Sequence, residues 1–124
     1  MILPVFEVQD LIDSMNFADV TFVSSIDEAY LKDVKSTIVL ITEATNELDM
    51  RSNNRFRGMS YAIEVQIFYG TKFTNSVLDT EIALARLLEK NDWITSQSKS
   101  HTIDPKTDQV TKVFYFTKKY ILED

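Results

Sequence analysis

MSYAIEVQIFY, residues Met59–Tyr69, is the stretch whose reading decides the fold. Met59, Tyr61, Ile63, Val65, Ile67 and Tyr69 are apolar and alternate with Ser60, Glu64 and Gln66, the period-two pattern of a strand that buries one face. A central strand is expected here. At about 3.3 Å per residue it runs roughly 35 Å, longer than a typical strand, so its end near Gly70 is expected to project beyond the neighbouring strands.

Downstream, Asn75 or Ser76 can cap a helix, and Ser76 with Asp79 three residues on resembles a capping box. Leu78, Ile82, Ala85 and Leu88 form its apolar stripe, widened by Leu84 and Leu87, against polar Asp79, Glu81, Arg86, Glu89 and Lys90. This helix is expected to pack on the sheet. Asn91-Asp92 ends it, and Trp93–Ile103 and Gln109–Ile121 read as a strand hairpin turning across Asp104–Asp108. Aromatic Phe114, Tyr115 and Phe116 on both faces place the second arm inside the sheet, and the polar first arm at an edge.

Upstream, Glu43–Gly58 (EATNELDMRSNNRFRG) shows no periodicity and reads as a loop or a flexible strand extension. Long irregular stretches in compact domains are uncommon and often functional. Ser36–Thr42 is a β-branched run expected to be buried on both faces, and it can pair with Asp19–Ser25. A turn or short helical piece lies between them. Pro4 suits a helix first turn, and Val5, Val8, Leu11, Ile12 and Met15 recur at helical spacing with Glu7, Asp10 and Asp13 opposite and Asn16 as a stop. The expected fold is α+β, one domain over residues 1–124: a mainly antiparallel sheet packed by two helices, in the order α-β-β-(loop)-β-α-β-β.

The composition, 44% hydrophobic and 26% charged, is that of a globular chain. Without cysteine there is no disulfide framework or thiolate metal site, which fits intracellular assembly. No apolar run of about eighteen residues occurs and no basic, apolar leader opens the chain, so neither membrane span nor export is expected. Charge is uneven. Residues 1–50 carry ten acids against Lys32 and Lys35, a net −8, and residues 51–124 carry eleven bases against nine acids, a net +2, giving the overall −6. Net acidity argues against general nucleic-acid binding, whereas unequal halves suit copies that meet front to back.

Candidate catalytic groups are few. Asp49, then fourteen residues and Glu64-Val65-Gln66, loosely matches a nuclease pattern, but Gln66 stands where a lysine would activate water. Alternation makes Glu64 and Gln66 an ordinary polar strand face. His101 has no second histidine or cysteine to join it, and no glycine-rich phosphate loop exists: Gly58 and Gly70 read as strand boundaries. No catalytic residue, cofactor or metal is expected. Arg51, Arg55 and Arg57 with Phe56 could contact a nucleic acid, yet acidic Glu47 and Asp49 beside them favour a protein neighbour, because arginine pairs bidentately with carboxylates. Glu47, Asp49, Arg51, Arg55, Phe56 and Arg57 are therefore the expected protein interface.

The element order, together with TEATNELDMRSNNRFRG and YAIEVQIFYG within Thr42–Phe73, resembles the tail-terminator (tail-completion) family of long non-contractile-tailed bacteriophages of Gram-positive hosts. That resemblance implies a non-enzymatic virion protein, assembled in the host cytoplasm and residing at the head–tail junction. It implies a homo-oligomeric, hexameric ring on the tail tube that ends tube growth. Its implied partners are other copies of itself, the major tail protein and the head–tail connector proteins, with DNA passing through the lumen without specific binding. On this expectation the acidic first helix meets a basic patch of the next subunit. The rival expectations are another neck component, a metal-dependent nuclease and a regulatory binding module.

Overall fold

Pro4, whose ring suits a first helical turn, starts α1 (Pro4–Met15) in the computed structural model, which describes residues 2–122. Asn16 ends it in the left-handed conformation at φ 57°. Pro4, Val5, Val8 and Ile12 are the buried stripe. Glu7 does not simply face water: its carboxylate takes Lys118 Nζ at 3.1 Å and the Tyr120 hydroxyl at 3.4 Å, which leaves Asp10 and Asp13 as the exposed acids of this helix.

Six strands follow in one sheet: β1 (Val20–Val23), β2 (Ile38–Ser52), β3 (Arg55–Tyr69), β4 (Ile94–Ser98), β5 (Thr102–Ile103) and β6 (Val110–Ile121). The order is β1-β2-β3-β6-β4, with β5 also on β6. Only β1 and β2 run parallel, and the rest are antiparallel. The fold is α+β, as expected. The second helix, α2 (Val77–Lys90), is capped by Ser76, whose hydroxyl accepts from Asp79 N at 3.2 Å.

β3 is central, as its alternation predicts: Tyr61, Ile63, Val65, Ile67 and Tyr69 are buried on the side where Val8, Ile12, Leu84 and Leu88 pack. Trp93 and Phe116 complete that core at 0% exposure. Among the described residues the opposite face carries no α-helix; a single 3-10 turn, Glu28–Tyr30, covers one end of it, with Tyr30 edge-on to Phe22 and Leu31 beside Ile38 and Phe68.

One expectation is narrowed here and another fails. Of the two readings of Glu43–Gly58, loop or strand extension, the extension holds: β2 continues to Ser52, Asn53 and Asn54 turn, and β3 starts at Arg55. Both asparagines have positive φ, 53° and 63°, as a type I′ hairpin turn requires, and asparagine tolerates that region better than most residues. Cross-strand pairing thus orders residues that show no one-sided hydrophobic pattern. Gly58 accordingly lies inside β3 rather than at its boundary. The failure concerns the projecting end. Near Gly70 the strand is fully flanked, with Phe68 against Ile38 and Tyr69 against Val110, and it is the Arg55 end that extends past its neighbours.

Candidate interaction surface

The extension is an arm of β2 and β3 that is three-stranded with β6 as far as Gly58 and two-stranded beyond it. Its root is set by the register Thr42↔Glu64 and Glu43↔Ile63, and a bulge at Ala44 shifts the pairing to Thr45↔Ala62. On one side β6 accompanies β3 only as far as Gly58↔Ile121, and on the other β1 accompanies β2 only as far as Val23↔Ile41. The outer edge of β2 over residues 43–52 therefore has no strand partner among the described residues.

The six expected interface residues all lie on this arm, but they divide between its faces. Pairing of Glu47 with Ser60, Asp49 with Gly58 and Arg51 with Phe56 puts Glu47, Asp49, Arg51 and Phe56 on the helix-free face of the sheet. Arg55 and Arg57, one position out of phase, belong to the helix-bearing side with Leu48 and Met59. Leu48 and Phe56 remain 49% and 42% exposed, one on each face. Asp49 is tied to its own arm: the Ser60 hydroxyl donates to its Oδ2.

A second surface lies at the other side of the sheet. All five residues of β4 are exposed, and β6 is its only strand partner among the described residues. Beside β4, α2 is rotated from the expected orientation. It buries Glu81, Leu84 and Leu88, while Leu78 and Ile82 are 62% and 50% exposed. The inversion has a polar cause: Glu81 Oε2 accepts the buried Tyr69 hydroxyl at 2.8 Å, and His101 Nε2 lies 2.9 and 2.8 Å from the two carboxylate oxygens. Leu78, Ile82 and Ala85 form one wall of a groove, Thr95 and Ser98 the other, and Phe114 is at its floor. The sequence holds a trace of this surface, because its apolar residues wrap too far around α2 for a single contact.

A family model described as a protein of unknown function (DUF806) matches residues 2–121. The chain belongs to the DUF806 family. Among curated proteins nothing matches it. The DUF806 match runs from the start of α1 to the end of β6, so the arm and both sheet edges fall inside the family's unit.

Within this DUF806 chain the nuclease geometry fails. Asp49 is level with Gly58 and Glu64 with Thr42, six register positions apart on β3, or about 20 Å. They cannot hold a common ion. Glu64 instead accepts from the Tyr115 hydroxyl and the Gln66 amide. No group of three or more His, Cys, Asp or Glu capable of holding a metal occurs among the described residues. His101 is exposed, with its ring tied to Glu81. No helix among those residues is long and apolar enough to cross a membrane.

Several tyrosines sit against carboxylates. Burial and the Glu43 charge push Tyr61 up to about 12. Tyr69 is raised beyond the usual tyrosine range by burial and then by Glu81, and Tyr120 by burial and then by Glu7. Each therefore stays protonated near neutrality, and Tyr69 and Tyr120 donate to their carboxylates.

Proposed function

We propose that this chain is a non-enzymatic structural protein of a bacteriophage virion, forming a homo-oligomeric ring that caps the tail tube, ends its polymerisation and presents the surface for head–tail joining. The observation that carries the reading is the projecting β2–β3 arm. An isolated two-stranded hairpin is marginal in water, and this one carries exposed Phe56 beyond the end of β6, with exposed Leu48 nearer its root, level with Met59 and Tyr120. An arm of that kind suits a protein partner that covers it. The resemblance over Thr42–Phe73 supplies the partner class: other copies of the chain in a hexamer, the major tail protein below and connector proteins above. The net charge of −6 is compatible with a lumen that passes DNA without holding it.

Negative-stain microscopy of the protein mixed with purified tail tubes tests the reading. The expected image is a cap at one end of each tube and an arrest of further growth. Tubes that lengthen normally with bare ends overturn it. Arg55→Glu with Arg57→Glu is expected to reduce capping while circular dichroism stays unchanged, because both residues lie at the Arg55 end of β3, where the pairing with β6 runs out.

A further inference from the structure

We propose that copies of this chain join by strand addition, the free edge of β2 over residues 43–52 in one copy pairing antiparallel with the free edge of β4 in the next. The inference rests on the ring reading in requiring a second copy, and it goes further by naming the two edges that meet.

Strand direction is the first support. Taking β2 as running up, β3 runs down, β6 up and β4 down. A following copy placed with its helices on the same side again presents an upward β2, which is antiparallel to β4. One sheet then continues into the next without inverting its faces. Two different edges make the contact heterologous, the kind of interface that closes into a ring when the rotation between successive copies closes.

The edges themselves are the second support. Long exposed edges are ordinarily protected by proline, lysine or shortness. Residues 43–52 contain no proline and no lysine, and the irregularity in the β2–β3 ladder sits at the root, between Glu43 and Thr45. β1 of the incoming copy occupies β2 only up to Ile41, which confines the contact to the arm.

Side chains on the two edges also match. On the helix-free face the arm brings Glu47 and Asp49, while the β4 side offers Lys119, level with Ser60, and Lys99, whose Nζ lies 5.2 Å from the centre of the Tyr115 ring. On the helix-bearing face the arm brings Leu48 toward the groove walled by Leu78 and Ile82. Acid meets base on one face and aliphatic meets aliphatic on the other.

The chain has no cysteine, so introduced pairs report only the intended contact. Gln97→Cys, on the helix-free face of β4, is combined in turn with Thr45→Cys, Glu47→Cys or Arg51→Cys, all at exposed positions on the same face of the arm. The proteins are oxidised in concentrated solution and on tail tubes, then run on non-reducing denaturing gels. At least one pair is expected to give a ladder of covalent oligomers, with the single-cysteine proteins giving none beyond dimers. Leu48→Lys is expected to shift the concentration for association upward by about tenfold or more with unchanged circular dichroism. Assembly seen by light scattering with no cross-link from any pair overturns the edge assignment and leaves the ring reading standing. A chain that never associates, with or without tubes, overturns both.

Discussion

The Tyr69 hydroxyl donates a 2.8 Å hydrogen bond to Glu81 Oε2, so the end of the central strand is held by a helix that turns an acid inward. Tyr69 is 3% exposed and Glu81 5%, and His101 closes the far side of the carboxylate. Replacing Glu81 with alanine leaves the buried tyrosine hydroxyl without its acceptor. Such a loss costs about 1–3 kcal/mol. Glu81→Gln keeps an acceptor for Tyr69 and is expected to lose less, a ranking that urea denaturation of the two variants reads directly.

The same contact fixes how stability responds to alkali. Tyr61 is raised from the ordinary 10.0 to about 12, and Tyr69, Tyr115 and Tyr120 are also raised, so the folded chain holds these protons more tightly than the unfolded chain. Their contribution is complete below the unfolded value and is lost as pH climbs toward the folded ones. Stability is therefore expected to fall progressively above pH 10, with the Tyr61 share lost through about pH 12. Urea midpoints measured across this window check the sign, and Tyr69→Phe is expected to flatten the decline.

Gly70 shows why β3 stops where it does. A Cβ there would lie 2.1 Å from Lys35 O and 2.5 Å from the Ser36 carbonyl carbon, both backbone atoms that no side-chain rotation can move aside. Gly70 N also donates to Thr37 Oγ1 at 3.0 Å, and Thr37 N in turn donates to Asp19 Oδ2 at 2.7 Å. Gly70→Ala is expected to destabilise by about 1–3 kcal/mol or more by forcing the 35–37 segment away from the strand end. Denaturation midpoints give the cost, and weakened amide protection at Asp19 and Val20, both bonded to Thr37 O, gives its location.

Much of this architecture was legible where hydrophobic period and capping chemistry agree. The stripe in α1 with Pro4 and Asn16, the Ser76 cap of α2, the alternation of β3 and the interior aromatics of β6 each carry a local signal that tertiary contacts leave intact. Residues 43–58 carry none, because an arm that stands clear of the core buries no continuous face and is ordered by cross-strand hydrogen bonds and its turn. Its six candidate residues were legible as a chemical group, but their division between two faces depends on register, which the Ala44 bulge shifts. The rotation of α2 was hidden for a different reason. Leu78 and Ile82 are as apolar as Leu84 and Leu88, and only the distant partners Tyr69 and His101 make burial of Glu81 the better arrangement.

The turn of the arm gives the last prediction. Asn53 and Asn54 both hold positive φ, a region that costs residues with a Cβ free energy and costs asparagine less than most. Glycine at the second position makes Asn-Gly, the pair best suited to a two-residue type I′ turn. Asn54→Gly is expected to slow amide exchange across residues 48–59 and to leave global stability changed by less than about 1 kcal/mol, since glycine also enlarges the freedom of the unfolded chain. Asn54→Val is expected to act in the opposite sense, because a β-branched side chain at φ 63° is strained. Hydrogen exchange is the deciding measurement: an arm ordered by its turn responds locally to both changes, with protection in α1 and β6 unaltered, whereas a uniform shift across the chain would mean that the arm and the core unfold as one unit.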